Sequence, residues 1–247
     1  MKIITVAIQK GGTGKTTTAA TLAQAAAYKG RKVLAIDLDP QGNLSFALGA
    51  QATAETGTAY NLLMGLPAAQ LIQTTAQGLD IIPTDRDLAA ITSGTGSARR
   101  LRQALEPIRD NYDLIIIDTP PTAGELQYNA LMAADGLIIP LEADAFNLQS
   151  LYQMTDTARQ IQQSNTGLQI LGVVFTQYDG RSIISRQMRD AITQTAAAAG
   201  VPTLGTIRGA VAIKEAAALQ QSIYSYAPKS KPAQDYLEIY NHIAQEV

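Results

Sequence analysis

The sequence of 247 residues contains no cysteine and only one histidine, His242. Without cysteine the chain can form no disulfide, no thiolate metal site and no iron–sulfur cluster, which suits a cytoplasmic protein. A single histidine also leaves too few ligands for a zinc cluster. No apolar run approaches the roughly 18 residues that a membrane helix needs. We therefore expect a cytoplasmic protein without a membrane partner.

The sequence also lacks a large excess of positive or negative charge, since 19 basic and 21 acidic residues leave a net charge of −2. This balance gives no overall attraction to nucleic acid, so such binding would need a local patch. Residues 181–231 offer one, because their basic residues outnumber Asp190 and Glu215. These basic residues are Arg181, Arg186, Arg189, Arg208, Lys214, Lys229 and Lys231. Singly, each is most simply a solvated side chain; as a group, they predict salt-sensitive binding to phosphate backbones.

Short apolar runs recur along the chain and alternate with segments of helical period. They cover residues 3–8, 33–36, 79–82, 114–117, 137–139, 170–175 and 204–207. Apolar residues that are continuous rather than alternating indicate strands buried on both faces. The pattern predicts a doubly wound α/β fold, with a mostly parallel sheet and helices on both faces, in a single domain over residues 1–247.

Helices are predicted at residues 16–28, 98–111, 125–134, 148–163, 185–199, 213–221 and 232–246. Pro107 is expected to kink or shorten the second of them. The stretch 49–78 has only weak periodicity, and residues 93–96 predict a loop. The last helix carries acidic residues around its apolar side, which favours packing in the core over binding to a membrane.

A glycine-rich loop lies between the first predicted strand and the first predicted helix. It reads Gln9-Lys10-Gly11-Gly12-Thr13-Gly14-Lys15-Thr16-Thr17. Glycines allow a tight turn whose N–H groups point at phosphate oxygens, and the helix adds the positive end of its dipole. Lys15 supplies a charge for the terminal phosphates and Thr16 a hydroxyl for Mg²⁺. The loop predicts a nucleotide-binding P-loop site.

The start of this loop departs from the ordinary motif. The pattern G-x-x-x-x-G-K-[ST] requires glycine where Gln9 stands, and Lys10 follows it. Lys10 therefore has no assigned role within its own site. Two interpretations stay open, a solvated lysine at the loop edge and a cation that reaches phosphate on a second subunit.

Acidic residues end two of the predicted strands. Ligands of open parallel sheets bind at the carboxyl ends of the strands, so these acids should converge with the glycine loop. Asp118 ends an apolar run as a Walker B acid does and is placed to hold Mg²⁺ through water, although a turn or helix cap is the alternative. Asp37 and Asp39 lie two residues apart, so one is available for the metal and the other for the attacking water. Capping of the turn at residues 40–42 is the alternative for either.

Together, the K-G-G-T-G-K-T-T loop, D-L-D-P-Q-G-N at residues 37–43 and D-T-P-P at 118–121 resemble the ParA/Soj family of deviant Walker A partition ATPases, relatives of MinD. The resemblance runs from Lys2 to the final helix and includes residues 176–181 and 226–231. It implies the P-loop NTPase fold and an Mg²⁺-dependent ATPase with ATP and Mg²⁺ as cofactors. It also implies a homodimer in the ATP state, in which Lys10 reaches into the other subunit.

The resemblance further implies roles for individual residues. Asp39 orients or activates the attacking water, next to the two lysines of the loop, while Asp37 supports the Mg²⁺ sphere. Adenine is expected against the backbone near Ile207 and Gly209, with help from Gln177. The preference for ATP over GTP rests on family likeness alone.

Members of the family bind DNA non-specifically through a C-terminal basic surface of the dimer. The resemblance thus implies DNA-binding roles for Arg181, Arg186, Arg189, Arg208 and Lys214. Arg208 matches the family's DNA-binding arginine best. A ParB-like activator and a nucleoid-associated location follow, whereas the glycine loop starts too early for a preceding helix-turn-helix domain. The alternative is an ATP-dependent positioning or assembly scaffold for another cargo that does not use DNA.

Overall fold

The computed structural model describes residues 2–53, 56–91 and 97–245. Its strands span Lys2–Val6 (β1), Val33–Asp37 (β2), Gln73–Thr74 (β3), Asp80–Ile82 (β4), Leu114–Asp118 (β5), Gly136–Leu141 (β6), Gln169–Tyr178 (β7) and Thr203–Arg208 (β8). They form one eight-stranded sheet in the order β3-β4-β2-β5-β1-β6-β7-β8. Among the strands of the described ranges, only those of the edge pair β3–β4 run antiparallel. The predicted mostly parallel sheet is confirmed.

The helices span Lys15–Tyr28 (α1), Asn43–Ala47 (α2), Ala59–Leu63 (α3), Arg100–Leu105 (α4), Glu125–Ala133 (α5), Asn147–Gln162 (α6), Ile183–Ala198 (α7), Val211–Ala218 (α8), Ile223–Tyr226 (α9) and Lys231–Gln245 (α10). Short 3₁₀ turns lie at Ala68–Gln70, Arg86–Ala90, Ser97–Arg99 and Glu106–Asn111. None of the helices in the described ranges is long and apolar enough to span a bilayer.

One predicted helix is wrong in extent. Instead of a helix over residues 98–111, the α-helical part is Arg100–Leu105, and a 3₁₀ turn follows it. Pro107 lies at the start of that turn, where its missing N–H and its ring end the regular α-helical hydrogen bonding. The loop predicted at residues 93–96, and residue 246 of the last predicted helix, lie outside the described residues.

Buried side chains cover both faces of the sheet. Every residue of β2, β5 and β6 is buried, as the continuous apolar runs predict. The final helix α10 joins the core through Tyr236, Ile239, Tyr240 and Ile243, so the prediction of a core-packing helix is confirmed. Ile239 packs directly on Gly205 of β8, where a Cβ would lie 2.9 Å from the Ile239 Cγ1 atom.

The parallel strands bring their carboxyl ends to one edge of the sheet, which we call the nucleotide edge. Val6 of β1 and Asp37 of β2 each pair in register with Asp118 of β5, which lies between them. The ends of β6, β7 and β8 continue the same edge, and α1, α6, α7 and α8 begin there. Short loops therefore place the polar residues that follow each strand close together.

Candidate functional site

The glycine-rich loop leads from β1 into α1 at the nucleotide edge. Gly12 and Gly14 adopt φ angles of +77° and +84°, which are unfavourable for residues other than glycine. A Cβ on Gly14 would also lie 3.2 Å from Thr176 Cγ2 of β7. The Thr176 hydroxyl donates to the Thr13 carbonyl at 2.8 Å and fixes the loop against that strand. The loop is thus held in a turned conformation by the sheet itself.

Lys15 is the buried cation of this loop, with 6% of its surface exposed. Its ammonium donates to the carbonyl of Lys10 at 2.7 Å and so spans the loop. Burial lowers the pKa of Lys15, while the carboxylates of Asp118 and Asp39 act in the opposite direction. The side chain is therefore fixed between the loop and the acids, where terminal phosphates are expected.

Asp118 is fully buried at the end of β5 and contacts Thr16 of the loop. The Thr16 hydroxyl donates to Asp118 Oδ2 at 2.6 Å. Burial raises the pKa of Asp118, and the neighbouring carboxylate of Asp37 raises it further. No group of three or more His, Asp or Glu residues suited to a metal occurs in the described ranges. A hydroxyl beside one carboxylate instead fits Mg²⁺, which takes its other ligands from phosphates and water.

Asp37 is also fully buried, and its oxygens accept hydrogen bonds from its own loop. Oδ2 accepts from the backbone N–H and the hydroxyl of Ser45 at 2.8 and 2.7 Å, and Oδ1 from the N–H of Asp39 at 3.1 Å. Burial raises the pKa of Asp37 to about 6, against the lowering effect of these donors. The carboxylate thus ties the end of β2 to α2.

Asp39 differs from Asp37 in facing a large cleft. It is 7% exposed, lines the cleft and accepts a hydrogen bond from the Gln41 N–H at 3.0 Å. The paired acids of the sequence therefore occupy two environments. One is saturated by protein donors, and the other is open to a bound ligand.

The cleft has a volume of about 980 Å³. Its walls come from the glycine-rich loop, α1, the β2–α2 loop, the end of β8 and α8; of the predicted cofactor-binding residues they include Gly11, Gly12, Gly14, Lys15, Thr16, Thr17, Gln177, Ile207 and Gly209. Lys10 and Thr13 do not line it. Thr13 is buried, and its hydroxyl has no partner among the described residues. The structure thus brings the predicted phosphate and adenine segments to one cleft.

Gln177 has a φ of +51°, which is uncommon for a residue with a side chain. Its amide donates to Glu142 Oε1 at 2.6 Å and to the Gly12 carbonyl at 3.2 Å. Gly209 lies against the Gln177 backbone, where a Cβ would be 3.6 Å from the carbonyl oxygen. The ends of β7 and β8 therefore meet the glycine-rich loop directly.

Lys10 has a partner that the sequence did not reveal. Its ammonium lies 3.3 Å from Asp144 Oδ2 and 5.8 Å from the centre of the Phe146 ring. The lysine side chain keeps 29% of its surface exposed. Asp144 follows β6 at the nucleotide edge, so an acid after that strand was the available signal. Lys10 is thus paired within its own chain.

The predicted DNA-binding residues differ in how they are held. Arg186 donates to the carbonyls of Gly180 and Arg181, and Arg189 pairs with Asp190 at 2.9 Å. Arg208 is bound by Asp235 of α10, an acid with no signal in the sequence. Arg181 and Lys214 are exposed, and neither side chain has a partner within the described part of the chain. Two of the five guanidinium or ammonium groups are therefore neutralised by acids.

Comparison with known proteins agrees with this geometry. The AAA domain family model matches residues 1–170. The chromosome partitioning protein ParA of Caulobacter vibrioides is 44% identical over 197 residues, which cover 76% of this chain and 74% of the relative. The chromosome-partitioning ATPase Soj of Thermus thermophilus is 36% identical over 247 residues, which cover 99% and 94%.

Among solved structures, cobyrinic acid a,c-diamide synthase from Mycobacterium smegmatis, with a bound ATP analogue and magnesium, superposes with a TM-score of 0.86 at 30% identity. The match covers 100% of this chain and 95% of the other. It shares the P-loop fold described above. The deviant loop, the acids of β2 and β5 and these relatives agree with one another. The chain belongs to the AAA domain family and is an ATPase of the ParA/Soj partition type.

Proposed function

We propose that residues 1–247 act as one P-loop ATPase domain, a switch that binds ATP and Mg²⁺, dimerises and holds DNA until a partner protein stimulates hydrolysis. One observation carries the proposal: Thr16, Lys15 and Asp118 meet at the nucleotide edge beside a cleft that Asp39 faces. The ATP analogue and magnesium of the M. smegmatis structure support the choice of ligands.

Phosphate binding falls to the loop and to Lys15. The backbone of residues 10–17 surrounds the phosphates, with Lys15 at the terminal ones, and Ile207, Gly209 and Gln177 border the base. Thr16 and Asp118 would hold Mg²⁺, which would supply positive charge for the developing phosphate anion. Asp37 would support them by fixing the loop after β2.

Water activation falls to Asp39. Its carboxylate is the acid of the β2–α2 loop that lies open to the cleft, whereas Asp37 is occupied by Ser45. Phosphoryl transfer to water needs an acceptor that orients the attacking molecule in line with the leaving group. The same loop leads into α2, so the position of the terminal phosphate can change the position of α2.

Dimerisation uses the nucleotide edge. Phe146, Ile183, Ile184 and Val211 stand at the starts of α6, α7 and α8 and are 81%, 63%, 71% and 68% exposed. Apolar side chains grouped at one edge favour contact with another surface. In the dimer, Lys10 leaves Asp144 and reaches a phosphate of the second copy, with Gly11 and Gly12 allowing close approach.

DNA is held by the basic residues of the C-terminal third. Arg181, Arg186, Arg189 and Lys214 contact phosphates without reading sequence, and Arg208 joins them only when its contact with Asp235 opens. A ParB-like protein then stimulates hydrolysis, and the ATP form is nucleoid-associated. Because Arg189 and Arg208 are both paired with acids, a scaffold that positions another cargo without DNA stands as the second candidate.

Binding to random-sequence DNA separates the two candidates. Fluorescence anisotropy is measured with ATP, with ADP and without nucleotide, at several salt concentrations. The partition function predicts binding with ATP that weakens steeply as salt increases. The variant Asp39→Ala should keep ATP, the dimer and DNA but lose hydrolysis by about 100-fold or more. Absence of binding at low salt would favour the scaffold, and unchanged hydrolysis in the variant would refute the role of Asp39.

A further inference from the structure

Asp235 on α10 is joined to the end of β8 by several hydrogen bonds to a single residue. Its Oδ2 accepts from the backbone N–H of Arg208 at 2.9 Å. The guanidinium Nε lies 3.0 and 3.1 Å from the two carboxylate oxygens, and Nη2 contacts Oδ1. The Asp235 side chain is 8% exposed, and that of Arg208 is 46% exposed. One buried carboxylate therefore fixes both the backbone and the side chain of Arg208.

The helix that carries Asp235 is itself fixed at two further points. The hydroxyl of Tyr236, the next residue, is hydrogen-bonded to the Thr18 hydroxyl of α1 at 3.0 Å. Ile239 packs on Gly205 of β8 in a space that admits no Cβ. Helix α10 thus cannot slide along β8 or α1 without breaking these contacts. Asp235 is presented to Arg208 from a rigid support.

Arg208 lies between two residues that border the cleft. Ile207 is buried beneath the cleft wall, and the N–H of Gly209 donates to the Tyr178 carbonyl at 3.4 Å. The backbone of this segment lies beside Gln177 and lines the cleft, so its direction helps to set the width of the cleft. The backbone bond from Arg208 to Asp235 holds that direction.

We infer that Asp235 is a positioning residue for nucleotide binding, which acts through Arg208 to hold Ile207–Gly209 as the border of the base site. The inference rests on the proposed function, because it requires the nucleotide base to lie against this border. In this arrangement Arg208, whose guanidinium is bound by Asp235, helps to hold the wall of the cleft. Loss of the carboxylate should then weaken contacts to the base and leave contacts to the phosphates intact.

Two ligands separate these contacts, ATP and inorganic tripolyphosphate, each titrated with Mg²⁺ by calorimetry. In Asp235→Asn, and in the double variant that adds Arg208→Gln, we expect the Kd for ATP to increase about tenfold, as for the loss of a charge-assisted hydrogen bond. Arg208→Gln alone keeps the backbone N–H on Asp235 and should increase this Kd less. The Kd for tripolyphosphate should change less than about twofold. The double variant should resemble Asp235→Asn, because the Arg208 side chain has no carboxylate left to bind once Asp235 is replaced. In turnover, KM should increase while kcat stays the same.

Glu238→Gln is the matched control. Glu238 is an exposed acid on the same helix that acts on Arg208 only through its charge. It should leave both affinities unchanged. If Asp235→Asn fails to fold, the double variant, which removes both charges, takes its place against the same control.

Three results would overturn the inference. Equal losses for ATP and tripolyphosphate would assign Asp235 to general stability. Unchanged ATP affinity with stronger DNA binding in Asp235→Asn would mean that Asp235 only masks the Arg208 side chain from DNA. Loss of ATP affinity in Glu238→Gln would show that negative charge on α10, rather than the hydrogen bond from Arg208 to Asp235, is what matters. A wild-type protein that binds tripolyphosphate but not ATP would refute the proposed function instead.

Discussion

At the scale of single residues, side chains of the same type differ in their environment and therefore in their expected role. Asp37 and Asp39 are two residues apart, yet Ser45 saturates one of them while the other faces the cleft. Lys10 and Lys15 lie in one loop, but Lys15 is buried beside Asp118 and Lys10 lies at the surface against Asp144. Position in the fold, rather than residue type, therefore sets each expected effect of substitution.

The two lysines should respond differently to loss of charge. Lys15→Gln is expected to lose nucleotide binding, because the buried ammonium beside the phosphates disappears. Lys10→Gln should bind nucleotide normally but lose partner-stimulated hydrolysis, since the target that we propose for Lys10 lies on the second copy. Filter binding of ATP and phosphate release with the activator measure the two effects. Lys29→Gln, at an exposed lysine after α1, is the control. Equal nucleotide loss in both loop variants would contradict the division.

Asp37 should make the stability of the fold depend on pH. Burial raises the pKa of Asp37 from 3.8 to about 6. Between these values the folded chain holds a proton that the unfolded chain has released, so the free energy of unfolding decreases as pH increases from about 4 to 6. Asp37→Asn cannot titrate and should lose this decrease, which amounts to roughly 2–3 kcal/mol.

Urea unfolding at pH 4, 5, 6 and 7 measures the difference between Asp37→Asn and the wild type. As pH increases, the free energy of unfolding of the variant should rise relative to that of the wild type, and this difference should become constant above about pH 7. A constant difference for Asp37→Asn would show that the carboxyl group titrates alike in both states.

At the scale of elements, the sequence predicts best what is set by neighbouring residues. Continuous apolar runs identify the parallel strands, and the glycine-rich loop identifies the start of α1. Helix α2 has five residues and depends on the bonds from Asp37 to Ser45, eight positions away, so no periodicity marks it. The contacts of Lys10 with Asp144 and of Arg208 with Asp235 span 134 and 27 positions. Only the folded sheet brings these partners together.

At the scale of the whole molecule, the nucleotide edge combines a cleft with a border of exposed apolar side chains. The helices that follow β6, β7 and β8 all begin there, so their first residues form one face. The loop lysine at this face, Lys10, is already paired with Asp144 of the same chain. Association of two copies should therefore depend more on apolar contact than on attraction between charges.

Replacing Ile183 and Ile184 with serine should weaken the ATP-dependent dimer. Burial of one isoleucine contributes about 1.5–3 kcal/mol, so the double variant should raise the dimer Kd by a factor of ten or more. Sedimentation velocity with ATP, in the Asp39→Ala background that prevents hydrolysis, measures the change. Met64→Ser, at a residue 54% exposed after α3, should leave the dimer unchanged. An unaffected dimer in the double variant would place the interface elsewhere.

In the proposed dimer, Lys10 would exchange one ion pair for another. It would leave the carboxylate of Asp144, now 3.3 Å away, for a phosphate oxygen of the neighbouring copy's nucleotide. This exchange is favourable only if the phosphate attracts the ammonium more strongly than Asp144 does. A triphosphate, longer and more highly charged, meets that condition better than a diphosphate. In the proposed dimer, competition for this one cation should therefore contribute to discrimination between the two nucleotides.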